Sequence, residues 1–474
     1  MTSTLNQNKP PLPGRYFKEL RELVFLGGPI LGAQLSATGM SFVDTSMAGQ
    51  YSAQDLAAVA LGSSIWMPVY LLVRGIMMAT TPTVAQLFGA GKVDRIATPV
   101  RQAYWIAVLF SILAIAFLLN AGPLLDFLQI EPEVSAITRD YLAALAWGIP
   151  AIFLYQVMAC YCEARSMTKP GMLFSFAALL LNIPVNYVLI YGRFGFPELG
   201  SVGCGYATAI CFWLMTVLMF FYTRFDERHK DADLYGRWEW PSLSVMKAHL
   251  KLGVPMGLAI FFEASIFSAV ALVIGQLGAV TVAGHQVALN FTSLCFMLPM
   301  SVSMGITIRV GQALGAEQFE QARFISFAGI ATTLVTACFS ASVMWFLPDV
   351  VTSIYTNDLA VKVLAAELLL FAAMFQFVDG VQVASNGALR GYKDTRVPMV
   401  MILIACWGIA LPFGYILGLT DWLVDPMGPH GLWVGLVTAL TLAATFLALR
   451  LNAISKRYIN DRPDMTGQTV AMAH

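Results

Sequence analysis

Three acidic side chains sit inside apolar runs. Asp44 lies in Ser41-Phe-Val-Asp44-Thr-Ser-Met, Glu263 in Ile260-Phe-Phe-Glu263-Ala-Ser, and Asp379 in Phe375-Gln-Phe-Val-Asp379-Gly-Val-Gln. None has Lys or Arg within one helical turn, so no local ion pair accounts for it. An ionisable group in hydrocarbon costs roughly 2.5–3.5 kcal/mol on insertion scales. Carboxylates so placed suit the uptake of H⁺ or Na⁺, or the attraction of an organic cation. The alternative for each is an acid that is hydrogen-bonded across helices and has only a structural role. Asn182 and Asn186 belong beside Asp44 in this reading. Four residues apart, they share a helix face, and Pro184 between them releases a backbone carbonyl from the helical ladder. One carboxylate, two amide oxygens and a released carbonyl form a hard-oxygen set suited to Na⁺ or a proton relay. Interhelical amide bonding is the competing reading.

Other polar residues carry less chemistry. Gln34, Gln276, Gln286, Asn290, Gln376, Gln382 and Asn386 either line a wet cavity or join helices. His285, near an outer helix end, reads as an interface histidine whose hydrogen bonds are satisfied. Glu163 and Glu367 lie near helix ends and are expected to reach water. The seven cysteines show no zinc-type or redox spacing, which leaves them as small packing residues.

The elements that must position these groups are membrane helices. The chain of 474 residues is 58% hydrophobic and 12% charged, where a soluble domain carries about 25% charge. Stretches free of Asp, Glu, Lys and Arg, such as 102–125, 170–192, 199–223 and 264–308, reach or exceed the length that crosses a bilayer. Twelve helices are expected, near 22–47, 56–80, 97–120, 138–161, 170–191, 200–223, 250–276, 281–308, 323–347, 363–387, 396–418 and 431–453. Lys and Arg collect before helix 1, after helices 2, 4, 10 and 12, and in the connector around 224–251. By the positive-inside rule both termini and that connector are cytoplasmic. Residues 1–20 are polar and Pro-rich, and no cleavable signal peptide is expected there.

The two halves are copies of one another. Residues 27–91 lie on 253–317 without a gap at an offset of 226, pairing Gly27 with Gly253, Pro29 with Pro255, and Gln86-Leu-Phe-Gly89-Ala90 with Gln312-Ala-Leu-Gly315-Ala316. Pro184, Tyr187 and Gly203 pair with Pro412, Tyr415 and Gly431 at 228. With six spans per half, the copies point the same way and their pseudo-two-fold axis runs along the membrane normal. The acids are not duplicated: Glu263 falls on Ala37, Asp44 on Val270 and Asp379 on Leu154. Each lobe therefore has its own ionic chemistry. The expected organisation is a cytoplasmic tail over 1–21, an N-lobe over 22–223, a cytoplasmic linker over 224–249, a C-lobe over 250–455 and a second cytoplasmic tail over 456–474.

Several classes are excluded or disfavoured. Net charge is zero, so bulk electrostatics points to no partner and no nucleic acid. There is no His-Glu-x-x-His, Gly-x-Ser-x-Gly or Walker A motif, which argues against an intramembrane enzyme and against ATP drive within this chain. A major facilitator also has twelve spans in parallel halves, and Gly89-Ala-Gly-Lys92-Val-Asp94-Arg95 faintly resembles its basic loop. However, the following Gly-Arg/Lys is missing, and the matching C-half loop is Gly315-Ala-Glu317-Gln-Phe-Glu320. A lipid-linked flippase would favour a basic cavity, whereas the deep charges here are acidic.

Over about residues 20–455 the chain resembles MATE (multidrug and toxic compound extrusion) transporters of the NorM-like branch. The resemblance rests on the duplicated twelve-span plan, the paired Gln-x-x-Gly-Ala turns, the Pro29 and Pro255 helix starts, and the three placed acids. It implies an all-α membrane protein of the bacterial inner membrane that exports cationic amphipathic drugs or dyes in exchange for inward H⁺ or Na⁺. No organic cofactor is implied, and the chain would function as a monomer. It further implies an N-lobe ion site of Asp44, Asn182 and Asn186 with Thr208 as a fourth member, and a C-lobe site of Glu263 and Asp379. Gln34, Gln286, Asn290, Phe375 and Gln376 are candidates for the cavity wall. Phe375 departs from relatives with Tyr one turn before the helix 10 acid, which removes a hydroxyl ligand.

Overall fold

The computed structural model describes residues 12–463, so much of both expected tails lies outside the described residues. All regular structure among the described residues is helical. Twelve spans account for nearly all of it. They are α1 (Leu12–Tyr51), α2 (Ala53–Gly89), α3 (Ala97–Leu119), α4 (Pro132–Ala146 with Ile149–Ala164), α5 (Lys169–Ile190), α6 (Ser201–Phe225), α7 (Leu243–Ile274), α8 (Ala279–Gly315), α9 (Phe319–Phe346), α10 (Leu359–Gly391), α11 (Arg396–Leu419) and α12 (Pro429–Asp461). Eleven are single apolar helices, and α4 is a pair bent by 45°. The bend falls at Trp147 and Gly148. Pro150 follows in the first turn of the second piece, and Gly148 lies against the Cα of Ala209 on α6, where a side chain would clash.

The helices run longer than the charge-free windows. Pro29 and Pro255 were expected at helix starts, but they lie in the interiors of α1 and α7. The apolar window marks the hydrocarbon crossing, whereas the helix continues through polar residues at its end, where backbone hydrogen bonds remain favourable. In α11, Ile404–Ala410 forms a π-helical segment just before Pro412, which lacks the N–H needed to continue a regular ladder.

Lobe architecture repeats. In the first lobe α1 packs on α5, α5 on α6 and α2 on α4; in the second α7 packs on α11, α11 on α12 and α8 on α10. Short helices Gly122–Phe127 and Pro348–Tyr355 occupy equivalent places between the third and fourth spans. Between lobes, α1 meets α8 and α7 meets α2, with the ends of α2 and α8 crossing on the pseudo-axis. Glycines permit this approach. A Cβ on Gly89 would run into the Gln312 carbonyl, and one on Gly315 into the Gln86 carbonyl. Gly27, Gly75, Gly253 and Gly257 likewise face backbone of the opposite lobe. These contacts lie at the start of α1 and α7 and the end of α2 and α8, the side on which Lys and Arg collect.

The two amides of the paired turns lock this crossing. Gln86 donates to the Gly391 carbonyl at 2.9 Å, and Gln312 donates to the Ala164 carbonyl at 2.9 Å. The connector is pinned to the first lobe. Arg165 pairs with Asp231 at 2.8 Å, and Tyr161 meets His229 Nδ1 at 3.0 Å. Gln102 donates to the Trp240 carbonyl at 2.9 Å and accepts from the Ser242 N–H at 2.7 Å.

Candidate functional site

In the first lobe, helix spacing delivers one carboxylate to three side-chain donors. Asp44 Oδ1 accepts from Asn182 Nδ2 at 3.1 Å and from Asn186 Nδ2 at 2.7 Å. Asp44 Oδ2 accepts from Thr208 Oγ1 at 2.7 Å. The Cys204 thiol caps the Asp44 backbone carbonyl at 3.6 Å. Asp44, Asn182, Asn186 and Thr208 are all buried. The i, i+4 spacing on α5 places both amides on the face toward α1, and Thr208 comes from α6. All four residues of the expected N-lobe site therefore meet.

The amide oxygens Asn182 Oδ1 and Asn186 Oδ1 have no hydrogen-bond partner among the described residues. Buried polar atoms are nearly always paired, so two unpaired oxygens beside a carboxylate form an acceptor set open to a cation or a proton donor. The carbonyl released by Pro184 does not join them. Pro184 and Leu180 lie on the exposed side of α5, opposite the buried amides. Since i and i−4 share a face, the expected fourth oxygen is on the wrong side.

The second lobe is built differently. Glu263 on α7 accepts from Gln382 Nε2 of α10 at 3.0 Å. Asp379, one turn before Gln382, is buried and interacts electrostatically with Glu263, and both acids act on the thiol of Cys406 in the π-helical segment. Asp379 Oδ2, Gln382 Oε1, Ser385 Oγ and both polar atoms of Gln376 lack partners among the described residues. Five unpaired buried polar atoms on successive turns of α10 are far above the usual rate. The Trp407 indole N–H donates to the Phe262 carbonyl at 3.3 Å, tying the π-helical segment to the turn before Glu263.

Sequence spacing missed two cations, Arg390 and Arg74. Arg390, at the end of α10, acts electrostatically on Glu263 and lies within electrostatic range of Arg74 of the other lobe. It is more than two turns from Asp379 in sequence, and only folding brings α7 beside it. Glu163 also departs from expectation. One of its carboxylate oxygens is buried without a hydrogen bond, and Arg74 acts on it electrostatically. Glu367 does reach the surface, bonded to His430 at 3.0 Å. His285 accepts from the Trp433 indole at 3.3 Å, but its Nε2 has no partner among the described residues, so it is only half satisfied.

The cavity-wall candidates divide. Gln34 reaches across the lobes to Ser301 Oγ at 3.3 Å. Gln286 and Asn290 are exposed one turn apart on α8, with Asn290 donating to the Gln286 carbonyl at 2.9 Å. Phe375 and Gln376 are buried, and Phe375 packs edge-on against Phe267 of α7 at 6.3 Å between ring centres. They pack inside the lobe and form no open wall.

Comparison with known proteins gives consistent results. The MatE family model matches twice, over residues 29–188 and 255–416. The chain is 48% identical over 457 residues to multidrug resistance protein PmpM of Pseudomonas aeruginosa, covering 95% of this chain and 96% of that protein. It is 44% identical over 439 residues to multidrug resistance protein NorM of Photobacterium profundum, covering 93% and 96%. Among solved structures, the eukaryotic MATE transporter AtDTX14 superposes with a TM-score of 0.83 at 19% identity, covering 92% of this chain and 96% of that one. The Vibrio cholerae MATE transporter VcmN in its bent form gives a TM-score of 0.83 at 17% identity.

Proposed function

The chain belongs to the MatE family, and from that premise we propose that it is a secondary multidrug efflux antiporter of the bacterial inner membrane. It is a transporter rather than an enzyme. It exports cationic amphipathic compounds and takes up H⁺ or Na⁺ in exchange. In this reading the N-lobe spans 22–223, the C-lobe spans 250–455, the linker 224–249 and both termini are cytoplasmic, and one chain suffices for transport.

The observation that carries the proposal is the Asp44 cluster. Three donors hold a buried carboxylate in one geometry while two amide oxygens beside it stay unpaired. An incoming ion meets the carboxylate and these oxygens together. Binding of a cation neutralises the carboxylate, and its departure restores a negative charge that needs compensation. That exchange of charge states is what an antiporter requires. Glu263 and Asp379 form a second acidic locus, which an organic cation or the coupling ion relieves. The lobes meet through glycine contacts on their basic side, so the proposed route opens on the opposite side until those contacts part.

The test is transport in sealed vesicles with a Na⁺ gradient and a pH gradient imposed separately. Organic-cation dye release driven by either gradient supports antiport. Movement of a labelled lipid-linked sugar without dye transport would replace it with a flippase.

A further inference from the structure

A second site lies where the connector folds back on α3. Residues Arg101, Tyr104, Trp105 and Val108 of α3 and Leu234, Tyr235, Arg237, Trp238 and Glu239 of the connector enclose a slot of about 300 Å³. Four of these side chains are aromatic. Trp238 stands edge-on to Trp105 at 5.5 Å between ring centres, and Tyr104 and Tyr235 share a hydroxyl contact at 3.3 Å. The Trp105 indole N–H is fixed by the Glu239 carbonyl at 3.0 Å, so the wall is held in place.

Charge at the slot is not balanced. Arg101 and Glu239 neutralise each other at 2.6 Å, and Arg101 also donates to the Leu234 carbonyl at 2.8 Å. Arg237 lines the same slot, is exposed, and has no ion pair or hydrogen bond among the described residues. One unpaired guanidinium therefore stands at the rim of an aromatic slot. Below it, Trp105, Val108 and Ile112 follow at i, i+3 and i+7 along one face of α3, and Val108 and Ile112 are 38% and 60% exposed. This apolar strip runs from the polar end of α3 toward the middle of the bilayer. Trp105, Trp238 and Arg237 stand at its polar end, and Trp and Arg are residue types that meet lipid headgroups at the membrane interface.

We propose that this slot binds one anionic phospholipid from the leaflet on the basic side of the protein. The phosphate and headgroup charge sit on Arg237, the glycerol region lies against Trp105 and Trp238, and an acyl chain descends along Val108 and Ile112. Arg forms bidentate bonds with phosphate oxygens, and the apolar strip distinguishes a lipid from a soluble phosphate. The bound lipid bridges α3 and the connector, holding the segment that links the two lobes against the first lobe.

The experiment uses the full-length protein in detergent, with native mass spectrometry and thermal unfolding as readouts. Added phosphatidylglycerol should leave a single retained lipid on the protein and raise the unfolding midpoint more than phosphatidylcholine does. Arg237→Gln should abolish both effects, whereas Lys247→Gln, which removes an exposed charge outside the slot, should keep them. Trp238→Ala should weaken retention without changing the preference for anionic lipid. Equal effects of the two lipids on the wild type, full retention in Arg237→Gln, or an equal midpoint shift from soluble glycerol 3-phosphate would each overturn the proposal.

Discussion

A Cβ on Gly75 would strike the Cα of Gly257, so α2 of one lobe and α7 of the other touch backbone to backbone. The reciprocal contact sets Gly257 against the Leu72 carbonyl. No side chain can yield at such a crossing, which makes it a rigid seam. Gly257→Ala should therefore wedge the lobes apart and lower stability by about 1–3 kcal/mol, the usual range for overpacking. Gly28→Ala is the control, because nothing lies within 4 Å of a Cβ there, and a helical alanine should be neutral or slightly stabilising. Thermal unfolding in detergent reads both, and equal midpoints would remove the seam.

Thr208→Val deletes one of three donors to Asp44 while keeping its volume. A hydrogen bond to a charged group contributes about 1.5–3 kcal/mol. The concentration of coupling ion at half-maximal dye efflux should shift by about tenfold or more, with normal protein in the membrane. An unchanged ion dependence would exclude Thr208 from the site.

In the second lobe, Glu263→Gln and Asp379→Asn separate coupling from architecture. If the pair shares an ion, both variants keep their unfolding midpoint and lose ion-dependent dye release. If one member is always protonated and only locks the lobe, the variants either unfold earlier or transport normally. Gln382→Ala removes the bond at 3.0 Å to Glu263 and should reduce, not abolish, release.

Outside the membrane, the connector has a pH-sensitive hold. His229 is buried against Tyr161 and Tyr222, and burial, with the Arg165 charge, pushes its pKa down to about 4. The depressed value means the folded connector prefers neutral imidazole. That stability is complete above the unfolded value of about 6.5 and is lost as pH falls from there toward 4. Asp226 and Asp231 oppose the shift, and Arg228 adds to it. Proteolysis within 226–242 should accelerate between pH 6.5 and 4.5 in the wild type, and the acceleration should shrink in His229→Gln. Identical pH profiles would contradict this.

Much of the architecture was legible in the chain because hydrocarbon imposes a strict pattern. Apolar length located the spans, and the gap-free repeat located the pseudo-axis. The Asp44 cluster was legible because its members on α5 follow helical spacing and the resemblance supplied Thr208. Other features depend on packing between distant segments. Arg390 beside Glu263, Gln382 as its donor and the buried oxygen of Glu163 have no signature within one helical turn. Pro184 was misassigned because spacing identifies a broken hydrogen bond but not the face on which it opens. The π-helical segment near Cys406 escaped notice because Pro412 signals an interruption without specifying its form.

The central claim is that ion binding at Asp44 drives exchange. The most direct measurement is organic-cation dye efflux from sealed vesicles containing wild type or Asp44→Asn at equal protein density, driven by a Na⁺ gradient or a pH gradient imposed alone. Wild type should respond to at least one gradient, and Asp44→Asn should lose that response while keeping the wild-type unfolding midpoint. Gradient-driven efflux at the wild-type rate in Asp44→Asn would contradict the claim.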